Sequence, residues 1–276
     1  MSSLRNIYAA LCAILFSAIP GYSYGDKLPA NLIGRWQVQE VHINTTSGRA
    51  THFSWGDPRL KWRIFEFSNT KIENDAYDFD DKCVEPSAKY LDATPIDLFF
   101  RSIGGYDYPP TPGINPVMDY RINVNAEKNL RAIILSCADG IWQGDLGASD
   151  PKLGDLAIRG AWIILQDDHY MYLRWRDESI LRLEKIRNQS PIIASFDCAK
   201  AGTKTERAIC ASYRLGAFDR SVADAFEKYS IQASSPDLEN AMEEQRIWLK
   251  QRDACGLNEK CILKKMRFRL SDLLSH

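Results

Sequence analysis

The sequence predicts an α+β protein: an N-terminal antiparallel β-barrel or sandwich, followed by a small disulfide-stapled helical bundle. Three observations carry this. Short β-rich runs between Trp36 and Leu183, some alternating in period two, are separated by turn clusters. Beyond Pro191 the apolar positions recur at three and four instead. Four of the 7 cysteines fall in that second stretch.

The chain has 276 residues, enough for one or two domains with a sizeable core. Its net charge of −1 shows no nucleic-acid footprint. Residues 1–25 read as a secretory signal peptide. Arg5 supplies the positive start, Ile7 to Ile19 is an apolar run too short to span a bilayer, and Ser23 and Gly25 precede a cut ahead of Asp26. Leu11 before Cys12 is too bulky for lipoprotein processing. No later segment approaches transmembrane length, so the mature chain has no expected membrane span and belongs in the periplasm or outside the cell.

The β-domain is expected over residues 26–187. Trp36, Val38, Val41 and Ile43 begin an extended run, and Asn44 to Gly48 is a turn cluster. Lys61 to Phe67 alternates, with Trp62 and Ile64 inward and Phe65 or Phe67 as further candidates. Ile96 to Phe100 and Tyr120 to Val124 read as strands, the second ending in a turn at Asn125 to Asn129. Leu130 to Cys137 runs back. Trp162 to Leu165 and Tyr170 to Trp175 form a hairpin around Asp167-Asp168, and Ile180 to Leu183 closes a set of about eight. Barrel and sandwich remain equally open at that count.

Two loops carry candidate contact residues. Asp75, Asp78, Asp80 and Asp81, with Glu73, form an acidic run before Cys83. Oxygen ligands this close suit calcium, but the run lacks the Gly and terminal Glu of a helix-loop-helix site. A solvated acidic loop is the preferred reading, and an acidic patch facing a basic partner is the third. Tyr106 and Tyr108 lie in a Gly- and Pro-rich loop, where exposed tyrosines make good contacts.

Residues 188–191 (Asn-Gln-Ser-Pro) read as a linker, and 192–276 as the helical domain. A short helix begins near Thr205 and ends near Ser212. Residues 214–232 place Leu215, Phe218, Val222, Ala225 and Tyr229 on one face. Ser235 is the expected cap of the next helix, with Pro236 in its first turn, Leu238, Met242, Gln245 and Leu249 inward, and Gly256 as its stop. Residues 260–274 form the last helix, with Ile262, Met266, Leu270, Leu273 and Leu274 apolar.

Without Cys12, six cysteines remain: Cys83, Cys137, Cys198, Cys210, Cys255 and Cys261. An even number in an exported chain implies disulfides. Keeping each domain closed on itself pairs Cys83 with Cys137. Within the bundle the local pairs Cys198–Cys210 and Cys255–Cys261 are favoured among three possible connectivities. Metal ligation fits poorly, because zinc sites want close CxxC pairs or histidines and His276 is the only histidine in this half.

The second half resembles the lysozyme-inhibitor LprI-like family of bacterial envelope proteins across residues 196–269. The residues that carry the resemblance are Phe196-Asp197-Cys198-Ala199-Lys200-Ala201, Glu206-Arg207-Ala208-Ile209-Cys210, and the run from Gln245 to Cys255 that includes Trp248, Arg252 and Asp253. Phe218 before Asp219 stands where the family usually has Leu. The resemblance implies that Glu206, Asp219, Gln245, Trp248, Arg252 and Asp253 are motif positions. Their physical chemistry assigns them first to packing and paired hydrogen bonds, with Arg252 joined to Asp219 or Glu206. Gly34-Arg35-Trp36 is similar to the Gly-x-Trp near the first strand of lipocalin-like small barrels.

Catalytic signatures are missing. No GxSxG elbow, Walker loop or HExxH occurs, and the 4 histidines are scattered. The sequence therefore reads as a non-enzyme without cofactor or metal. Residues 26–190 hold 20 Lys+Arg against 24 Asp+Glu, and residues 191–276 hold 14 against 12. The acidic first half suits a basic lysozyme. The expected function is a secreted or periplasmic binding protein that resembles lysozyme inhibitors and blocks a cell-wall hydrolase. The rivals are a lipocalin-like small-ligand carrier, an envelope docking or assembly protein, and an immunity protein against a rival's hydrolase.

Overall fold

The computed structural model describes residues 26–44, 51–76, 82–103, 116–144, 146 and 151–275. The leader, Asp78, Asp80, Asp81, Tyr106, Tyr108 and His276 lie outside them. Among the described residues ten strands form one antiparallel sheet: β1 (Gly34–His42), β2 (Ile64–Phe67), β3 (Lys71–Asn74), β4 (Cys83–Val84), β5 (Ser87–Ala93), β6 (Leu130–Cys137), β7 (Gly140–Ile141), β8 (Trp162–Leu165), β9 (Tyr170–Arg174) and β10 (Ile180–Ile186). The order is β4-β3-β2-β1-β10-β9-β8-β6-β5, with β7 beside β6. The two ends of this path, β4 and β5, are consecutive in the chain, so the sheet curls into a half-barrel. Glu85 (φ 50°) turns the chain between them. The Cys83–Cys137 disulfide and a 2.8 Å bond from Ala138 N to Val84 O join β4 to β6 across the gap.

Alternation gives the sheet two buried faces. Ile133, Ile163, Met171, Leu173, Leu181 and Leu183 point inward, with Trp36, Val38, Phe65, Phe67, Trp142 and Trp175. The aromatic rings interlock at centroid distances of 4.8 Å for Phe65–Trp175, 5.6 Å for Trp142–Trp175 and 5.9 Å for Phe67–Trp142. Ala132, Trp162, Ile164, Tyr172 and Ile180 point outward and are covered by α1 (Pro95–Ile103) and α2 (Pro116–Asp119).

Two expected strands are corrected here. Ile96 to Phe100 is helical, within α1. Pro95 opens it, Thr94 Oγ1 accepts from Asp97 N at 3.2 Å, and Leu98, Phe99, Ser102 and Ile103 share the buried face. A run of four apolar residues fits either period, and the outer sheet face selected the helix. Tyr120 to Val124 forms no strand. Its Tyr120 and Ile122 side chains plug the α1–sheet interface instead. The inward face at Lys61 to Phe67 is also corrected: Phe65 and Phe67 are buried inside, whereas Trp62 and Ile64 face the helices.

The helical part comprises α3 (Lys204–Cys210), α4 (Tyr213–Gln232), α5 (Ser235–Asp253) and α6 (Glu259–Leu273). Its core is Ile209, Leu215, Phe218, Val222, Ala225, Trp248, Ile262, Met266 and Leu270. Thr203, Ser212 and Asn258 cap α3, α4 and α6 through their side chains. The cap of α5 is Ser234, one residue before the expected Ser235, and its hydroxyl binds the Asp237 carboxylate. Met242 is exposed rather than inward, because α5 turns Ala241, Trp248 and Arg252 toward α4 and α6. Disulfides Cys198–Cys210 and Cys255–Cys261 hold the 3-10 turn Cys198–Lys200 to α3 and the α5–α6 corner.

Candidate functional sites: a seam cleft and a helical groove

The motif residues build an inward network. Asp219, on α4, accepts from Ser195 N at 2.8 Å, Ser195 Oγ at 2.6 Å and Arg252 Nη1 at 2.9 Å. Arg252 also donates through Nε and Nη2 to Asp253 Oδ1 at 3.1 and 3.0 Å. Buried charges persist when they are paired and hydrogen-bonded in this way. Glu206 closes the capping box of α3, and the backbone N–H groups of Thr203 and Gly202 hold its carboxyl below the ordinary range. Trp248 is buried and donates to Lys265 O at 3.2 Å, and Gln245 accepts from Arg269 Nε at 2.9 Å. Each of the six positions makes an intramolecular hydrogen bond.

The helices sit on the outer face of β1–β3 through a largely polar seam. Trp62, held at φ 72°, sends its indole N–H to Asp224 Oδ2 at 2.8 Å. The next side chain, Arg63, is fully buried. Its guanidinium lies 3.4 Å from the Phe218 ring centroid and donates to Ser221 Oγ at 2.7 Å. Burial pulls its pKa down to about 10, with Asp75 opposing the shift. Lys228 Nζ donates to Gly56 O at 2.9 Å and Trp55 O at 3.2 Å. Phe218 is the ring that receives Arg63.

Beside the seam opens a cleft of about 540 Å³. One wall is the outward side of β1–β3, with Arg35, Glu66, Glu73 and Asn74; the other is the start of α4 at Ser212, Tyr213 and Arg214. Asp75 belongs here, and its expected place on an exposed acidic loop is corrected. It is 8% exposed, and Oδ1 accepts from Ile64 N at 2.6 Å. The backbone amide of β2 draws the carboxylate in. Oδ2 makes no hydrogen bond among the described residues and lies 3.9 Å from Arg214 Nε.

A second depression, about 440 Å³, runs between α5 and α6. Trp248 forms its floor, Ile247 and Phe268 its exposed apolar flanks (47% and 63%), and Glu244 and Asp272 its rim. It continues past Arg269 toward Asp237.

Among the described residues His42 is the most enclosed histidine. Nδ1 lies 2.9 Å from Tyr120 O and Nε2 3.1 Å from Glu40 Oε2. Both ring nitrogens face protein oxygens, so neither is presented to a substrate as a general base. Among the described residues no three metal-ligating side chains converge.

No family model, no curated protein and no solved structure matches this chain. Function therefore rests on these sites. Of the expected acidic run and tyrosines, the structure places Glu73 and Asp75 in the seam cleft, and Asp78, Asp80, Asp81, Tyr106 and Tyr108 lie outside the described residues. The structure adds Arg35, Tyr213 and Arg214 in the cleft, and Ile247 and Phe268 in the groove. Phe268 had a sequence signal, being a large apolar residue flanked by charges and off the face of Ile262, Met266 and Leu270. Arg63 had none, because alternation puts it on the face of Phe65 and the Trp62 backbone turns it out.

Proposed function

We propose that this protein is a binding protein of an oxidising envelope compartment that blocks a cell-wall hydrolase, with the α5–α6 groove as its contact face. Three disulfides suit such a compartment, and no helix among the described residues is long and apolar enough to cross a membrane. A cleaved leader and a periplasmic address complete the reading. The observation that carries it is the groove itself: an exposed aromatic and an isoleucine over a buried tryptophan, rimmed by carboxylates. Aromatic anchors inside a polar rim are what a protein contact uses. Arg269 in the groove pairs with Asp272 at 2.5 Å and Glu244 at 3.6 Å, so the rim is polar and largely charge-paired, with Asp237 beyond it. The α5 helix is also where the resemblance to lysozyme inhibitors is densest.

The test is lysis of cell-wall substrate by a basic lysozyme, with the oxidised chain titrated at low and moderate salt. Saturable inhibition that weakens with salt and is lost in Phe268→Asp supports the reading. No inhibition at micromolar protein sinks it. A second reading, an envelope docking protein, uses the same groove and predicts a stable partner without any effect on lysis. The carrier reading draws no support from the sheet interior, which aromatic rings fill.

A further inference from the structure

The seam cleft has features that neither packing nor the hydrolase reading uses. Its lining carries both signs, Arg35, Lys82 and Arg214 against Glu66, Glu73 and Asp75. One end is the amino terminus of α4, a 20-residue helix. Ser212 Oγ accepts from Leu215 N, so the cap answers that one amide. The amides of Tyr213 and Arg214, in the first turn, have no carbonyl partner within the helix and carry its positive dipole end. Arg35 stands beside them, its guanidinium 4.9 Å from the Tyr213 ring centroid. This end suits a carboxylate.

The other end is Asp75. A carboxylate more than nine-tenths buried, with one oxygen lacking any hydrogen bond among the described residues, is an uncommon arrangement. Among the described residues the ion-pair partner is Arg214, at 3.9 Å and beyond hydrogen-bond range, on a side chain that is 51% exposed, while the buried Arg63 acts on Asp75 only through space. Arg214 swings away at small cost, because a long, half-solvated ion pair contributes little. An ammonium group in its place would give Asp75 Oδ2 the short charged hydrogen bond it lacks. The adjacent Asn74 Nδ2 is likewise buried without an acceptor, a donor ready for an amide carbonyl.

A helix amino end with Arg35, itself opposite Glu66, shares a cleft of small-molecule size with a buried carboxylate and an amide donor. The geometry points to a binding site for a small zwitterion, of the class of free amino acids and short peptides. Its carboxylate lies at the amino end of α4 beside Arg35, and its ammonium against Asp75. The displaced Arg214 joins the carboxylate end. This inference stands independently of the hydrolase reading.

The test is calorimetric titration of the oxidised chain with alanine, glutamate, lysine, alanyl-alanine and alanyl-glutamate, beside N-acetylated and C-amidated alanyl-alanine. Saturable heat from at least one unblocked probe is expected, with affinity about tenfold lower when either end of the dipeptide is blocked. If dipeptides bind and single amino acids do not, the peptide is the ligand; the reverse assigns free amino acids. Asp75→Asn keeps an oxygen for Ile64 N and removes the charge, so it should abolish binding in a chain that circular dichroism shows to be folded, with some stability lost because Arg63 is left less compensated. Arg35→Gln should weaken anionic probes most. No heat from any probe at millimolar concentration overturns the proposal. So does equal binding of blocked and free dipeptides, or full binding by a folded Asp75→Asn chain.

Discussion

Asp219 accepts three hydrogen bonds from two separate segments, the chain before α3 and the end of α5. Removing its charge leaves Arg252 buried with Asp253 alone. Asp219→Ala should destabilise the protein by about 3–5 kcal/mol, the range for breaking a buried ion pair from one side. Urea denaturation measures this, and a loss under about 1 kcal/mol would mean that water replaces the partner. His42 makes a pH prediction. Burial, only partly offset by Tyr120 O and Glu40, lowers its pKa from the ordinary 6.5, with Arg182 adding to the lowering. The folded state therefore holds this proton more weakly than the unfolded state. Its contribution is fully present above pH 6.5 and is lost as pH falls from there through the lowered folded value. The depressed carboxyls of Asp57 and Glu206 add a second loss nearer their own range. For Asp57, burial opposes the shift but hydrogen bonds from Arg59 and Ser54 outweigh it; for Glu206, amides of Thr203 and Gly202 dominate. Melting temperature against pH should fall in two steps, and His42→Leu should erase the first while keeping the second. A first step that survives this substitution refutes the assignment.

At the scale of elements, α4 is the hinge of the architecture, since it contacts α3, α6 and the sheet. Gly216 lies inside it. In an ordinary helix, alanine is favoured over glycine by about 1 kcal/mol. Here an added Cβ would meet Ile192 Cγ2 at 2.8 Å and Ile193 O at 3.2 Å. Neither is the free end of a flexible side chain, so the segment after the sheet must shift. Gly216→Ala should lower the denaturation midpoint despite its better helix propensity, and a raised midpoint would show that the segment yields. The same packing explains why the polar linker expected at 188–191 is not loose: Tyr213 OH donates to Ser190 O, and Ser190 Oγ accepts from Arg187 N.

At the scale of the molecule, the disulfides close loops of very different length. Cys83–Cys137 spans 54 residues, Cys198–Cys210 spans 12 and Cys255–Cys261 spans 6. On the chain-entropy account these correspond to roughly 4, 3 and 2 kcal/mol. Paired Cys→Ala variants should lose stability in that order under urea, and the reverse order would assign the stabilisation to local native contacts. The curled sheet adds to the first effect, because Cys83–Cys137 ties its two ends.

Much of this architecture was legible before any coordinates. The strands at Trp36, Leu130, Trp162, Tyr170 and Ile180 follow from short β-branched and aromatic runs between turn signals, a local property. The helices expected near Thr205, over 214–232, from Ser235 to Gly256 and over 260–274 lie close to their observed places, because caps and glycine stops act on neighbouring backbone. The disulfide pairs followed from proximity in sequence and from keeping each half closed. What required the tertiary structure was every choice between faces. Ile96 to Phe100 became a helix because the outer sheet face needed an apolar cover. Phe65 and Phe67 went inside while Ile64 went out because helices cover the other side. Arg63, Phe218, Asp75 and Arg214 meet only because α4 docks on β2, through contacts 139 or more positions apart in the case of Asp75 and Arg214. Local periodicity reports that a residue is buried; it carries no information about which distant surface does the burying, and both candidate sites are made of such surfaces.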